Sequence, residues 1–100
     1  MATLLYNLVN EYTTELLAPG SKVNIRKLSI ANVQGTNACS VDLFIEKIGT
    51  GKYYFFKGIS IPINTTLEYK PTFNNAPGEY GLYIKLTAAT GTPAVDVMIL

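Results

Sequence analysis

The sequence predicts an all-β domain, an antiparallel β-sandwich of seven to eight short strands in a Greek-key or jelly-roll-like arrangement. Three observations carry that prediction. Val41-Asp42-Leu43-Phe44-Ile45-Glu46 places Val, Leu and Ile at every second position, and Tyr80 to Leu86 does the same after the turn residues Pro77-Gly78. Side chains of a strand point alternately to its two faces, so a period of two means one covered face and one open face. Runs of this kind recur along the chain, separated by Gly, Pro and Asn, as short strands joined by turns should be.

The elements follow in order. In the segment 4–16 the even positions read Leu4, Tyr6, Leu8, Asn10, Tyr12, Thr14 and Leu16. The same residues also fit a four-residue helical spacing, but the Thr and Tyr content favours strand. Ala18-Pro19-Gly20-Ser21 is a turn. Val23, Ile25, Leu28 and Ile30 give a strand over 22–32 whose phase slips at Arg26-Lys27, and an inserted residue there predicts a β-bulge. Residues 32–37 form a loop. Strands over 40–48 and 52–57 make a hairpin around Gly49-Thr50-Gly51. Gly58 interrupts, and Ile59, Ile61 and Ile63 resume alternation on a strand that Pro62 confines to an edge or an end. A strand over 66–70 precedes a loop over 71–78. In that loop Pro77 and Gly78 suit the central positions of a type II turn. Strands over 80–87 and 94–99 complete the chain. The last of these, Val95 to Leu100, is apolar enough to be central in a sheet or pressed against another subunit.

The chain has 100 residues, which suits a single sandwich domain over 1–100, with 1–20 an N-terminal strand or arm and 21–100 the sandwich core. Apolar residues make up 48% and charged residues 15%, against about 25% charged in ordinary globular domains. Such a surface is one that is largely covered. A net charge of +1 argues against nucleic acid, and the basic spot at Lys22, Arg26 and Lys27 reads as a solvated strand edge. No apolar run reaches the length of a membrane helix, so no membrane partner is expected. Cys39 is the one cysteine and reads as a small buried hydrophobe. Asn64-Thr65-Thr66 spells a glycosylation sequon but reads as a turn.

Chemistry is sparse. Histidine is absent, which removes the usual base near neutral pH and the commonest metal ligand. Among the seven acids, Asp42 and Glu46 share a strand face. They lie about 13 Å apart, wider than the carboxylate pairs of glycosidases. Neither a zinc spacing nor a phosphate loop occurs. The expectation is a protein that is not an enzyme, with no catalytic, cofactor-binding or metal-binding residues and no cofactor.

What remains is the open faces. Alternation puts Phe44 and Tyr83 outward, and if Tyr53 and Phe55 fill the core then Tyr54 and Phe56 lie outward too. Phe44, Tyr54, Phe56 and Tyr83 are therefore the candidate interface residues, since exposed aromatic patches mark partners. The other reading of such aromatics is a sugar platform flanked by Asp42, Glu46 and Asn24.

Two resemblances bear on this. Pro77-Gly78-Glu79-Tyr80 resembles the turn-plus-tyrosine of Greek-key sandwiches such as fibronectin type III domains. That implies a buried Tyr80 whose hydroxyl bonds to backbone. Ser29-Ile30-Ala31-Asn32, Val41–Ile45, Ile59-Ser60-Ile61-Pro62 and Thr66-Leu67, ahead of Gly78-Glu79-Tyr80-Gly81-Leu82, together resemble the small β-sandwich structural proteins of tailed-bacteriophage virions. This resemblance spans residues 21–100 and transfers no binding residues. It implies a capsid decoration (cement) protein that binds the major capsid protein or another virion protein, self-associates, and resides in a virion assembled in the host cytoplasm. A neck or tail component, or a carbohydrate-binding or adhesin module, is the alternative.

Overall fold

The computed structural model describes residues 4–22, 24–47, 51–71, 73–75, 78–88 and 90–100. The described residues form ten strands: β1 (Leu4–Leu8), β2 (Thr14–Leu17), β3 (Asn24–Ile25), β4 (Leu28–Asn32), β5 (Cys39–Lys47), β6 (Gly51–Ile61), β7 (Thr65–Tyr69), β8 (Phe73–Asn74), β9 (Tyr80–Ala88) and β10 (Val95–Ile99). Two four-stranded antiparallel sheets, ordered β1-β10-β4-β7 and β2-β9-β5-β6, face one another, and β3 pairs with β8 beside them. Apart from the β5–β6 hairpin, each link between the eight main strands crosses from one sheet to the other. This is the strand order of a jelly roll.

The core lies between the sheets, as alternation requires. Leu28 and Ile30 of β4 and Val95, Val97 and Ile99 of β10 are buried. They meet Val41 and Leu43 of β5 and Leu82, Ile84 and Leu86 of β9 in one cluster. Burying each such side chain is worth about 1.5–3 kcal/mol. β10 sits between β1 and β4, so its apolar character is that of a central strand. Cys39 belongs to the same cluster, and burial pushes its thiol pKa up, which suits a packing residue. Tyr6 ties the layers together: its hydroxyl on β1 donates to the Leu16 carbonyl on β2, in the opposite sheet.

Four expectations are corrected. The phase slip at Arg26-Lys27 is a change of partner instead of a bulge. β3 pairs with β8, β4 pairs with β10 and β7, and between them the Arg26 and Lys27 N–H groups both donate to the Leu100 carbonyl. Gly58 does not end a strand, since β6 runs through it with shifts in register. Val41 pairs with Ile59 but Leu43 with Phe56, leaving an extra residue on β6 at Lys57-Gly58. Gly58 takes φ +71°, open to glycine at little cost, and its N–H donates to the Asp42 carboxylate at 2.7 Å. The loop over 71–78 contains β8. Finally, Tyr80 is half-buried, and the corner beside it is closed by Asn75. The expected hairpin turn at Gly49-Thr50 and the type II assignment through Pro77 lie outside the described residues.

Asn75 is 1% exposed, and its hydrogen bonds explain why a buried amide is tolerated. Its Nδ2 donates to the Ser21 carbonyl at 2.9 Å and to the Tyr80 carbonyl at 2.7 Å, and its Oδ1 accepts from the Tyr80 N–H at 3.2 Å. The chain passes close by: the Gly20 N–H donates to the Gly78 carbonyl at 2.9 Å, and a Cβ at Gly78 would stand 3.2 Å from the Gly20 backbone. Replacing Asn75 with Ala leaves three backbone groups without their partner. Asn75→Ala should cost about 2–4 kcal/mol in urea unfolding. An unchanged midpoint would show that water serves this corner equally well.

Candidate interaction surface

The outer face of the β2-β9-β5-β6 sheet gathers three of the four aromatics expected to lie outward. Phe44 on β5 is register partner to Tyr54 on β6 and to Tyr83 on β9. Its ring lies 5.1 Å from Tyr54 and stacks on Tyr83 at 5.6 Å. The three form a strip across the sheet. Gly81 makes room for it, because the Tyr83 ring lies where a Cβ on Gly81 would stand, with the hydroxyl 2.6 Å from that position.

Phe44 faces outward yet is only 2% exposed, which corrects the picture of it as an open contact. Its neighbours cover it, and the Lys52 ammonium sits 5.0 Å above its ring centre. Tyr54 remains 42% exposed, with the Lys57 ammonium 5.1 Å from its ring. Tyr83 is half-buried. Around the aromatic centre the register places Glu15 opposite Tyr83, Glu46 opposite Lys52, and Asp42 opposite Lys85. An apolar aromatic centre with a rim of mixed charge is the composition of a protein interface.

Phe56 is the miss. It packs against the core together with Phe55, and both rings contact Tyr69. The cause is a second irregularity in β6: Leu43 pairs with Phe56 but Phe44 pairs with Tyr54, so Phe55 is an extra residue. One inserted residue resets the phase, and two successive aromatics turn inward. The condition that Tyr53 and Phe55 fill the core together does not hold, since Tyr53 is 54% exposed.

Sequence reasoning also passed over one end of the sandwich. The loops over 9–13, 33–38, 62–64 and 90–94 converge there, and Val9, Tyr12, Val33 and Ile63 are all exposed. Buried Asn32 secures this end, donating to the Asn37 and Ile61 carbonyls at 3.1 and 3.0 Å. Asn37 in turn bonds the Thr90 carbonyl and hydroxyl. The density of Asn, Gln and Thr in these loops was the available signal. Among the described residues no cluster of metal-ligating side chains occurs.

No protein-family model matches this sequence, and no curated protein matches it. Among solved structures it is similar to the Yersinia pseudotuberculosis-derived mitogen, with a TM-score of 0.56 and 11% identity over 98% of this chain and 82% of that one. It also aligns with a chain from the structure of infectious bursal disease virus, Gx strain, with a TM-score of 0.41 and 10% identity. That alignment covers 99% of this chain and 33% of the viral one. The likeness to the mitogen is one of fold, and the chain is an all-β sandwich of that general kind.

Two outcomes follow from this geometry. Phe56→Ser should destabilise the domain by about 2–3 kcal/mol, because the ring is core-facing, whereas Tyr54→Ser should change stability by less than about 1 kcal/mol. Equal effects in urea unfolding would contradict the bulge assignment. The second concerns alkaline pH. Burial foremost, then the charge of Glu15, raises the pKa of Tyr6. Burial foremost, then Glu15 and Glu46, raises that of Tyr83. A raised folded-state pKa gives stability that is full below the unfolded value of about 10 and is lost as pH climbs through the folded value. Stability should therefore decline above about pH 10, less steeply in Tyr6→Phe with Tyr83→Phe. Identical alkaline profiles for that variant and the parent would contradict it.

Proposed function

We propose that this chain is a non-catalytic structural protein of a bacteriophage virion, a capsid decoration protein that docks on the major capsid protein through the outer face of its β2-β9-β5-β6 sheet. The observation that supports this reading is the Phe44–Tyr54–Tyr83 strip with its charged rim. Lysine ammonium groups lie over two of the rings, which leaves little open ring face for a flat sugar but keeps exposed Tyr54 available to an apolar pocket on a protein. Jelly rolls serve both capsid and lectin domains, so the character of this surface, and not the fold, favours the structural role. The low charge of 15% fits a domain much of whose surface is covered by neighbours on a shell.

The experiment uses phage particles assembled with a tagged copy. Tyr54→Ser with Tyr83→Ser should leave the isolated domain folded and reduce its incorporation at least about tenfold, as loss of aromatic anchors does. Incorporation at the parent level would place the contact elsewhere. Copies in proportion to shell subunits support decoration, whereas a single ring at one vertex marks a neck or tail component.

A further inference from the structure

A cleft of about 250 Å³ opens at the loop end of the sandwich, between Val9–Tyr12 on one side and Gly91–Pro93 on the other. We propose that it is a binding site for one neutral sugar ring. The site stands apart from the aromatic strip and does not depend on the proposed virion role.

Three features point to a saccharide. The first is Tyr12, which at 78% is the most exposed large hydrophobic side chain among the described residues. No ring or lysine contact to it occurs among the described residues, unlike Phe44 and Tyr54. An open aromatic face carries a negative potential that attracts the C–H face of a pyranose. The second is the pair of polar groups beside it. Asn10 uses its Oδ1 to accept the Tyr12 N–H at 3.0 Å, which directs its Nδ2 donors away from that turn. Glu11 uses Oε1 to accept the Ala88 N–H at 2.9 Å, and its second carboxylate oxygen remains as an acceptor for sugar hydroxyls. An amide and a carboxylate beside a ring supply the donors and acceptors that a polyol presents.

The third is rigidity. The Gly91–Pro93 wall is held by the Gln34 side chain, which donates to the Thr92 carbonyl at 2.9 Å, and by Asn37, which bonds the neighbouring Thr90. The Val9–Tyr12 wall is held by the Glu11–Ala88 bond and the Asn10–Tyr12 turn. A preformed site avoids the ordering cost that weak ligands cannot offset. The volume lies below the roughly 300–1,000 Å³ of sites for drug-sized molecules, which limits the occupant to a single ring. Among the described residues lining the cleft Glu11 is the one that carries charge, so anionic sugars are disfavoured.

The test is a nuclear magnetic resonance titration of the intact chain. The probes are methyl galactoside, methyl glucoside and methyl N-acetylglucosaminide, with N-acetylneuraminic acid as the anionic comparison. At least one neutral glycoside should give saturable shifts at the amides of 9–12 and 91–92, with Kd on the order of 1–10 mM. The acid should bind more weakly. Tyr12→Ala, which removes an exposed ring and should leave the rest of the spectrum unchanged, should weaken binding at least about tenfold. Tyr54→Ser should bind as the parent does. No saturable shift with any glycoside would overturn the proposal, as would shifts that persist in Tyr12→Ala, tighter binding of the acid, or shifts confined to the aromatic strip.

Discussion

The structure depends on burying one face of β5 and β9 against β4 and β10. Val41, Leu43, Ile84 and Leu86 meet Leu28, Ile30, Val97 and Ile99, and these are among the most completely buried of the described side chains. Because successive side chains alternate, fixing this face inward fixes the opposite face outward. Phe44 and Tyr83 lie on the outside because Leu43 and Ile84, their chain neighbours, must lie inside. The surface assigned to docking is thus a consequence of the core.

Polar side chains inside the fold are spent on architecture. Asn32 and Asn75 are each buried, and each holds backbone from separate segments. Asp42 caps the bulge at Gly58, and Glu11 holds the end of β9. Apart from the Asp42 bond, which lies within the β5–β6 ladder, these bonds tie down loop segments that no sheet ladder holds, so these residues determine how the loops sit on the sandwich. The two ends differ as a result. One is a nearly uncharged lattice of Asn, Gln and Thr, and the other carries the ion pairs Lys27–Glu68 at 3.0 Å and Lys47–Glu79 at 3.8 Å. Both pairs are substantially exposed, so they contribute little to stability.

Much of this was legible in the sequence where the alternation is regular. β5, β9 and β10 read as strands, and their inward residues are those that alternation assigns. Legibility failed where the chain departs from a period of two. Four successive aromatics, Tyr53-Tyr54-Phe55-Phe56, carry no polar residue to report the phase, so the inserted Phe55 was invisible and Phe56 was placed on the wrong face. The break at Arg26-Lys27 left a trace in the sequence, but a phase slip has the same signature whether the strand bulges or changes partner. Asn75 reads locally as one more loop residue, because the bond that ties its corner to a distant segment reaches Ser21, 54 residues away.

The Phe44–Tyr54–Tyr83 strip is the proposed docking face, and its orientation on a particle decides that proposal. A density map of purified particles, sharp enough to orient the two sheets, addresses it most directly. The β2-β9-β5-β6 sheet should face the shell with Tyr54 enclosed by the underlying protein and the β1-β10-β4-β7 sheet turned away. A chain bound with Tyr54 in solvent, or one absent from the particle, would contradict it.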